Sequence, residues 1–454
     1  MNTQNHQDLT AGPVAKTMLR FALPMMAGNL LQQLYNIADT LIVGQVLGTD
    51  ALAAVGSAYT LMTFLTSIIL GLCMGSGALF SIAFGEKNEE KLKNGVFTAF
   101  VLIGGITLLL NAAVFVWIDP ILHLLQTPSG VYAMMREYLW IIFTGISATF
   151  LYNFVASLLR AVGNSVIPLV FLGVAALMNI GLDLLFVLCF EAGVAGAAWA
   201  TVISQFFSGI GLLLFSLRRY PALRPSRRHI RLRGLVIREM MQFSLLTCAQ
   251  QSVMNFGILM VQGRVNSFGS AVMAAFAAAV KIDSFAYMPV QDFGNAFSTF
   301  IAQNFGAQKT ERIRQGTKSA VWIAIGFCVF ISLLVWIFAR TLMMIFVPAH
   351  ETEIIAIGVE YLHIEGAFYV GIGCLFLLYG LYRAIGRPGM SLVLTGISLG
   401  TRVILAYVLS AIPAIGVAGI WWSVPIGWLL ADAVGFLCYR KHKNRLPGTA
   451  QTTL

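Results

Sequence analysis

The sequence predicts an all-α polytopic membrane protein whose twelve transmembrane helices form two six-helix lobes. Of its 454 residues, 58% are hydrophobic and only 11% are charged, whereas soluble globular chains carry about 25% charged residues. The apolar residues form twelve runs, each long enough for a bilayer core that needs about 20 residues per helix. The two halves of the chain also repeat each other. A soluble protein of this length is excluded, because 19 acids and 29 bases are too few to cover its surface.

Polar residues, glycine and proline separate the twelve spans. The first six lie near residues 17–43, 51–83, 96–118, 132–159, 166–190 and 194–217. The second six lie near residues 239–264, 271–303, 319–346, 354–382, 389–412 and 416–439. The predicted organisation is an N-terminal lobe at 1–217, a basic linker at 218–238, a C-terminal lobe at 239–440 and a tail at 441–454.

The basic residues indicate the orientation of the spans. Twelve spans place both termini on one side, and the segments on that side contain 24 of the 29 Lys and Arg residues. The opposite ends of the spans contain Arg136, Arg264 and Arg340. Cytoplasmic loops carry an excess of Lys and Arg, so both termini and the linker are predicted to be cytoplasmic. The net charge of +10 therefore reflects orientation in the lipid bilayer, and nucleic acid is not an expected partner.

Four pairs of motifs relate the two halves. FALPMMAGNLLQQLYN resembles FSLLTCAQQSVMNFG, and SIAFGEK resembles AQNFGAQK. EYLW…LLRAVG and GVAGAAW recur as EYLH…LYRAIG and GVAGIWW, both at an offset of 223 residues. Because six spans separate the copies, the halves have the same topology. Parallel repeats of this kind suit alternating access to a substrate held between two lobes.

Four polar residues of the first span share one helix face, because they recur at i, i+3, i+4 and i+7. They are Gln32, Tyr35, Asn36 and Asp39. An ionisable group in lipid costs several kcal/mol, so this face is predicted to line a cavity. Pro24 lies fifteen residues before Asp39 and removes a backbone hydrogen bond. The position of Pro24 is compatible with a hinge in the first span and equally with a static kink.

Asn179 and Asp183 share a helix face in the fifth span. Asp39, Asp183 and Thr201 each lie about seven residues, or roughly 10 Å, from the outer end of a span. Two carboxylates, an amide and a hydroxyl are hard oxygen ligands that suit a small cation such as Na⁺. Alternatively the two carboxylates share a proton, because adjacent like charges destabilise each other. A structural hydrogen-bond network between packed helices is the third interpretation.

The C-terminal half lacks this set of residues. The positions equivalent to the two aspartates hold Val261 and Ala406, and Arg402 stands at the position of Asn179. Ion coupling is therefore predicted to be a property of the N-terminal lobe.

The C-terminal half has charges of its own. Lys281, Glu365 and Arg402 each lie about ten residues from the outer end of a span, roughly 15 Å deep. A buried salt-bridge cluster and a substrate-binding surface are both compatible with them. Asp283 is expected to lie apart, because residues at i and i+2 do not share a helix face. In the fourth span, Asn153 is predicted either to face the cavity or to bond a neighbouring helix.

These motifs resemble those of multidrug and toxic compound extrusion (MATE) transporters. The resemblance covers essentially the whole chain and rests on LPMMAGNLLQQLYNIADTLIVGQVLG, on RAVGN with its echo RAIGRP, and on Asn179-x-x-x-Asp183. It is greatest with the bacterial DinF-like branch. The resemblance implies two lobes around a V-shaped cavity and drug export against Na⁺ or H⁺ entry. It also implies that the matching acidic, amide and hydroxyl positions form the cation site. The chain departs from relatives that have an acidic site in the C-terminal lobe.

The expected function is secondary active export of amphipathic, often cationic compounds in exchange for Na⁺ or H⁺. The protein is expected to act as a monomer in the bacterial inner membrane, without a cofactor. The alternative is a flippase for a lipid-linked precursor of the same superfamily, whose pyrophosphate Lys281 and Arg402 would meet. An enzyme is not expected, because the sequence has no HExxH or P-loop motif.

Overall fold

Fourteen α-helices and no strand occur in the part of the chain that the computed structural model describes, residues 8–124, 127 and 129–442. The first seven are α1 (Val14–Leu47), α2 (Thr49–Gly85), α3 (Glu89–Leu124), α4 (Ser129–Thr144), α5 (Ile146–Ala161), α6 (Val166–Asp183) and α7 (Gly193–Arg219). The other seven are α8 (Gly234–Asn266), α9 (Ser270–Gly306), α10 (Thr310–Phe346), α11 (Thr352–Gly366), α12 (Tyr369–Ala384), α13 (Pro388–Ser410) and α14 (Ala418–His442). Most of the predicted tail, residues 443–454, lies outside the described residues.

These helices correspond to the twelve predicted spans. Nine helical segments among the described residues are long and apolar enough to cross a membrane. The pairs α4–α5 and α11–α12 each pass the same test as one bent span. α1, which has 34 residues, lies at the predicted first span; it carries the polar face noted above and does not meet the same test of apolarity. The predicted fold class, an all-α polytopic membrane protein, is confirmed.

The fourth and tenth spans are broken, although the sequence predicted each as one continuous run. α4 and α5 meet at 44°, and α11 and α12 meet at 52°. Gly145 separates the first pair and Gly366 ends α11. A glycine inside a helix costs about 1 kcal/mol relative to alanine, so both breaks fall where the helix is intrinsically weak.

The described residues form two compact units. Unit 1 contains residues 23–248, and unit 2 contains residues 9–22 and the described residues from 249 onward. Unit 1 contains the predicted linker, 218–238, as well as most of the N-terminal six spans, and the first helix of each half is divided between the units. The start of α1 belongs to unit 2, and the start of α8 belongs to unit 1. Pro24 lies just beyond the division in α1, and its role as a hinge stays a prediction.

The start of α8 packs closely against α2 within unit 1. A Cβ added to Gly71 would lie 2.7 Å from Cys248 Cα, and one added to Gly75 would lie 2.6 Å from Ser244 Cα. Helices approach this closely only where one of them has no side chain in the way. The two glycines therefore hold the start of α8 against α2.

The start of the described chain is held within unit 2 by side chains of the α9–α10 turn. Asn304 Nδ2 donates a hydrogen bond to the Leu9 carbonyl oxygen at 3.1 Å. The guanidinium of Arg312 donates to the carbonyl oxygens of Leu9, Ala11 and Gly12 at 2.6–3.2 Å. The segment before α1 is thus anchored to unit 2, whereas α1 beyond residue 22 belongs to unit 1.

Candidate ion and substrate site

Asp39 on α1 and Asp183 at the end of α6 lie side by side in unit 1. Asp183 is fully buried, and Asn179, one turn earlier on the same face of α6, is 2% exposed. Asn179 Nδ2 donates a hydrogen bond to Thr201 Oγ1 on α7 at 3.3 Å. The structure therefore brings together the four residues that the sequence predicted from depth and helix face, and it does so with α1, α6 and α7.

Several oxygen atoms of this cluster accept no hydrogen bond from the described residues. They are Asp39 Oδ1, Asn179 Oδ1 and both carboxylate oxygens of Asp183. Buried polar atoms in folded proteins almost always have a partner, and all four atoms are hard oxygen donors. Such a donor set fits Na⁺, and it equally fits a proton shared by two neighbouring carboxylates. A short π-helical stretch, Leu184–Cys189, directly follows Asp183, and π-helical turns are frequent at functional sites.

Tyr138 on α4 is a member of this cluster that the sequence analysis did not identify. It is 3% exposed, and it lies close enough to Asp39 and Asp183 for the charge of each acid to act on its hydroxyl group. The sequence contains one signal for it. The repeated motifs EYLW and EYLH place Tyr138 and Tyr361 at the same position of the two halves. A polar group kept in both copies of a repeat is a candidate for an internal site.

A partly open cleft lies within unit 1 beside the two carboxyl groups. Ten of its thirteen lining residues carry a carboxamide or a hydroxyl group, and none of them is charged. The polar lining residues are Gln32, Tyr35, Thr149, Tyr152, Asn153, Asn179, Thr201, Ser204, Gln205 and Ser208. Tyr35 is also a neighbour of Asp39, and Asn179, which donates a hydrogen bond to Thr201, lies one turn before Asp183. The cleft and the ion site therefore share side chains.

Two predicted cavity residues differ in their placement. Asn153 lines the cleft, and its Nδ2 also donates a hydrogen bond to the Thr149 carbonyl oxygen at 2.9 Å. Asn36 is not among the lining residues, and its Nδ2 lies 3.5 Å from Gln33 Oε1 on the same helix. Asn36 and Asp39 are separated by less than one turn, so the polar face of α1 is wider than the part that reaches the cleft.

The structure corrects the expected cluster in the C-terminal half. Lys281 is exposed, and its Nζ lies 5.9 Å from the ring centre of Phe346. Asp283, which was expected to lie apart, is instead the acid beside Glu365. Lys281 and Asp283 do point to different sides of α9, as their spacing requires, but it is Asp283 that faces α11. Whether Lys281, Glu365 and Arg402 bind a substrate stays a prediction.

Comparisons with known proteins agree with the fold and the repeat. The MatE family profile matches residues 24–185 and 244–408, one stretch in each half. The probable multidrug resistance protein YpnP of Bacillus subtilis (strain 168) is 32% identical over 447 residues, covering 95% of this chain and 96% of YpnP. An FAD transporter of Shewanella oneidensis is 24% identical, covering 96% of each chain. A crystal structure of MATE in the bent conformation has a TM-score of 0.92 at 22% identity over 100% of both chains.

The matched stretches contain the acidic residues of both clusters. Asp39, Asn179 and Asp183 fall in the first stretch, and Asp283 and Glu365 fall in the second. The profile thus covers both repeated halves, and the relatives align over nearly their whole length. With its twelve spans, its parallel repeats and this match, the chain belongs to the MatE family of multidrug and toxic compound extrusion transporters.

Proposed function

We propose that the chain exports amphipathic, often cationic compounds from the bacterial cell in exchange for Na⁺ or H⁺. The observation that carries this proposal is the position of the acid pair, Asp39 and Asp183, next to residues that line the cleft of unit 1, Tyr35 and Asn179. The expected location is the inner membrane, and the expected mechanism is alternating access. The relative YpnP, a probable multidrug resistance protein, supports the same class of substrate.

The shared side chains provide a physical route for coupling. A cation or proton at the acid pair changes which hydrogen bonds Tyr35, Asn179 and Thr201 make, and these residues also line the cleft. Ion binding then alters the affinity of the cleft for its substrate, and by linkage the substrate alters the affinity for the ion by the same factor. When the acid pair is free of ions, its negative charge favours a cationic substrate in the adjoining cleft.

The apolar and hydrogen-bonding parts of the cleft suit an amphipathic molecule. Leu172, Ala175 and Ala176 lie beside the carboxamides and hydroxyls of the lining. Small-molecule sites commonly combine an apolar surface with a few polar groups that set orientation. The neutral lining accepts different substrates, whereas the charge that distinguishes cations is confined to the carboxyl groups beside it.

Transport in reconstituted vesicles tests the coupling. Efflux of ethidium from proteoliposomes is measured under a pH gradient alone and under a Na⁺ gradient alone. We expect one of the gradients to drive efflux, and Asp39→Asn or Asp183→Asn to abolish the driven component. Asparagine keeps the shape of aspartate but removes the charge that holds the ion.

Asp50→Asn is the matched control, because Asp50 is an exposed acid at the start of α2. It is expected to retain driven efflux. Full driven efflux by both single variants, with normal insertion in the vesicles, contradicts a coupling role for the acid pair.

A second candidate function is transport of a phosphorylated solute or lipid. Lys281 is exposed, and Arg402 Nε has no hydrogen-bond partner among the described residues, so both side chains have donors for a phosphate. The relative named as an FAD transporter points to the same chemistry. Flavin nucleotides and a fluorescent polyprenyl pyrophosphate, assayed in the same vesicles, separate this function from drug export. Transport of either one with no ethidium efflux favours the second candidate.

A further inference from the structure

The linker between the two halves of the chain, residues 218–238, concentrates positive charge outside the membrane spans. It contains eight arginines and no lysine, aspartate or glutamate. Seven of its arginines are exposed, among them Arg224, Arg227 and Arg231. The proposed function gives these residues no role. Their charge therefore forms a surface whose partner is still to be identified.

The linker is folded against unit 1. Leu223 is 6% exposed and His229 is 2% exposed. Ser226 Oγ lies 2.7 Å from His229 Nδ1, and Arg233 Nη2 donates a hydrogen bond to Glu90 Oε1 on α3 at 3.1 Å. These contacts decide which side chains of the linker point inward, and they leave the other side chains at the surface in fixed positions.

Large apolar side chains are also exposed on the linker. Ile230 and Leu232 are each 52% exposed, and Leu235 is 79% exposed. The other predicted cytoplasmic turns between spans expose no large hydrophobic side chain among their described residues. Clustered exposed apolar side chains commonly mark an interaction site for a protein or a membrane. The linker thus combines positive charge with apolar surface, and the other turns do not.

Both ends of the linker lie at the surface of the bilayer. The sixth predicted span ends at residue 217, directly before the linker. Leu235 is in the first turn of α8, four residues before residue 239, where the seventh predicted span begins. At 1.5 Å per residue this is about 6 Å along the helix. The exposed apolar side chain of Leu235 is therefore close to the predicted edge of the hydrocarbon.

This combination fits an anionic bilayer surface. Arginines beside the cytoplasmic leaflet attract anionic headgroups, and each one strengthens the association about fivefold. Apolar side chains add to this attraction when they enter the boundary between headgroups and acyl chains. A soluble anion would meet the arginines alone, whereas a lipid also accounts for the exposed apolar residues beside the membrane.

We propose that residues 224–235 form a binding surface for anionic phospholipids of the cytoplasmic leaflet. The arginines contact the headgroup phosphates, and Ile230, Leu232 and Leu235 enter the region where the acyl chains begin. Arg233 contributes less, because it is already paired with Glu90. The surface lies on the linker and is separate from the acid pair and the cleft of unit 1, so it goes beyond the proposed export.

Hydrogen–deuterium exchange of the full-length protein in nanodiscs tests this surface. Nanodiscs of phosphatidylcholine alone are compared with nanodiscs of equal parts phosphatidylcholine and phosphatidylglycerol. The first N–H groups of a helix have no partner within the helix, so those at the start of α8 report contact with lipid. We expect amides of residues 230–236 to exchange several times more slowly when phosphatidylglycerol is present. Salt at about 1 M, which shortens the Debye length to about 3 Å, is expected to reduce this slowing.

Two variants separate the contributions of charge and apolar contact. Arg224→Gln/Arg227→Gln/Arg231→Gln removes three charges that together account for about a hundredfold in association, so the slowing is expected to disappear. Ile230→Ser/Leu232→Ser keeps every charge and removes the apolar contacts. It is expected to lose part of the slowing.

Lys318→Gln/Arg387→Gln/Lys441→Gln is the matched control for charge. It removes three charges from exposed positions elsewhere on the predicted cytoplasmic side, and it is expected to retain the slowing. Thermal melting in detergent confirms that each variant is folded. The comparison of the two lipid compositions uses the wild-type protein, so it decides even if a variant does not fold.

Four results overturn the proposal. They are equal exchange of the wild-type protein in the two lipid compositions, equal loss of the slowing in the two triple variants, and no effect of Ile230→Ser/Leu232→Ser. The fourth is the same slowing by inorganic phosphate in nanodiscs of phosphatidylcholine alone, which would identify a site for a soluble anion. None of these measurements depends on transport, so failure of this surface is distinguishable from failure of the proposed function.

Discussion

Tyr220 lies outside the membrane spans, where α7 ends and the linker begins. Asn164 Nδ2, in the turn before α6, donates a hydrogen bond to its hydroxyl oxygen at 2.9 Å, and both residues are buried. Burial raises the pKa of Tyr220 above its ordinary value of 10.0, against the smaller opposing effects of the Asn164 hydrogen bond and the Arg219 charge. A neutral tyrosine thus attaches the linker to unit 1.

The pH dependence of stability follows from the sign of this shift. Because the pKa of Tyr220 is higher in the folded state than in the unfolded state, its contribution is fully present below pH 10 and is lost as the pH rises through the folded-state value. We expect Tyr220→Phe to lower stability at neutral pH by about 0.5–1.5 kcal/mol, the net value of one hydrogen bond. Above pH 10 the variant is expected to lose less stability than the wild-type protein.

Thermal melting in detergent from pH 7 to pH 11 measures both effects. Tyr407→Phe is the control, because Tyr407 is 45% exposed. Equal losses of stability above pH 10 in the wild-type protein and Tyr220→Phe contradict the assignment.

At the scale of the element, α2 positions the start of α8 through two glycines. Gly71 and Gly75 are one turn apart, so they lie on the same face of α2. An added methyl group at either position meets backbone atoms of α8 at Cys248 or at Phe243 and Ser244. Backbone atoms cannot move aside as a flexible side chain can, so the helices must separate.

We expect Gly71→Ala and Gly75→Ala to destabilise the protein by about 1–3 kcal/mol, as overpacking does. Gly56→Ala is the control on the same helix, because nothing lies within 4 Å of an added Cβ there. Alanine favours a helix over glycine by up to about 1 kcal/mol, so the control is expected to be neutral or stabilising. Melting temperatures in one detergent compare the three variants, and equal values for all three rule out a close-packing role for Gly71 and Gly75.

At the scale of the whole molecule, the first helix of each half is divided between the two units. The start of α1 belongs to unit 2, and the start of α8 belongs to unit 1. Each helix is thus attached to both units, by the bonds of Arg312 and Asn304 in one case and by the glycines of α2 in the other. In alternating access, movement of the units must be absorbed within these two helices.

Alternating access predicts that the outer ends of corresponding helices change their separation. Spin labels at Asp50 and Ser270, which are exposed at the starts of α2 and α9, are expected to show two distance populations. Their ratio should change with pH or with Na⁺, because the coupling ion must favour one conformation. A pair at Asp50 and Ser129, both within unit 1, is the control and should show one distance. A single Asp50–Ser270 distance that no ion or substrate changes is incompatible with this mechanism.

The sequence by itself determined the spans, their repeat and the acid layer of unit 1. Hydropathy is a local property, so each apolar run predicts its own helix. Position along a helix sets depth at 1.5 Å per residue, which placed Asp39, Asp183 and Thr201 in one layer. The i,i+4 spacing then placed Asn179 on the same face as Asp183. All of these conclusions use only the spacing of residues along one helix or their depth in the bilayer, and both can be counted from the sequence.

Only the tertiary structure decided which residues of equal depth are neighbours. Lys281 and Glu365 lie at similar depth, yet Asp283 is the residue that adjoins Glu365, and Tyr138 joins the acid pair of unit 1 from a fourth helix. These contacts depend on how each helix is rotated about its own axis, on the breaks at α4–α5 and α11–α12, and on the division of α1 and α8 between units. Packing between helices sets all three, and no pattern within a single helix contains that information.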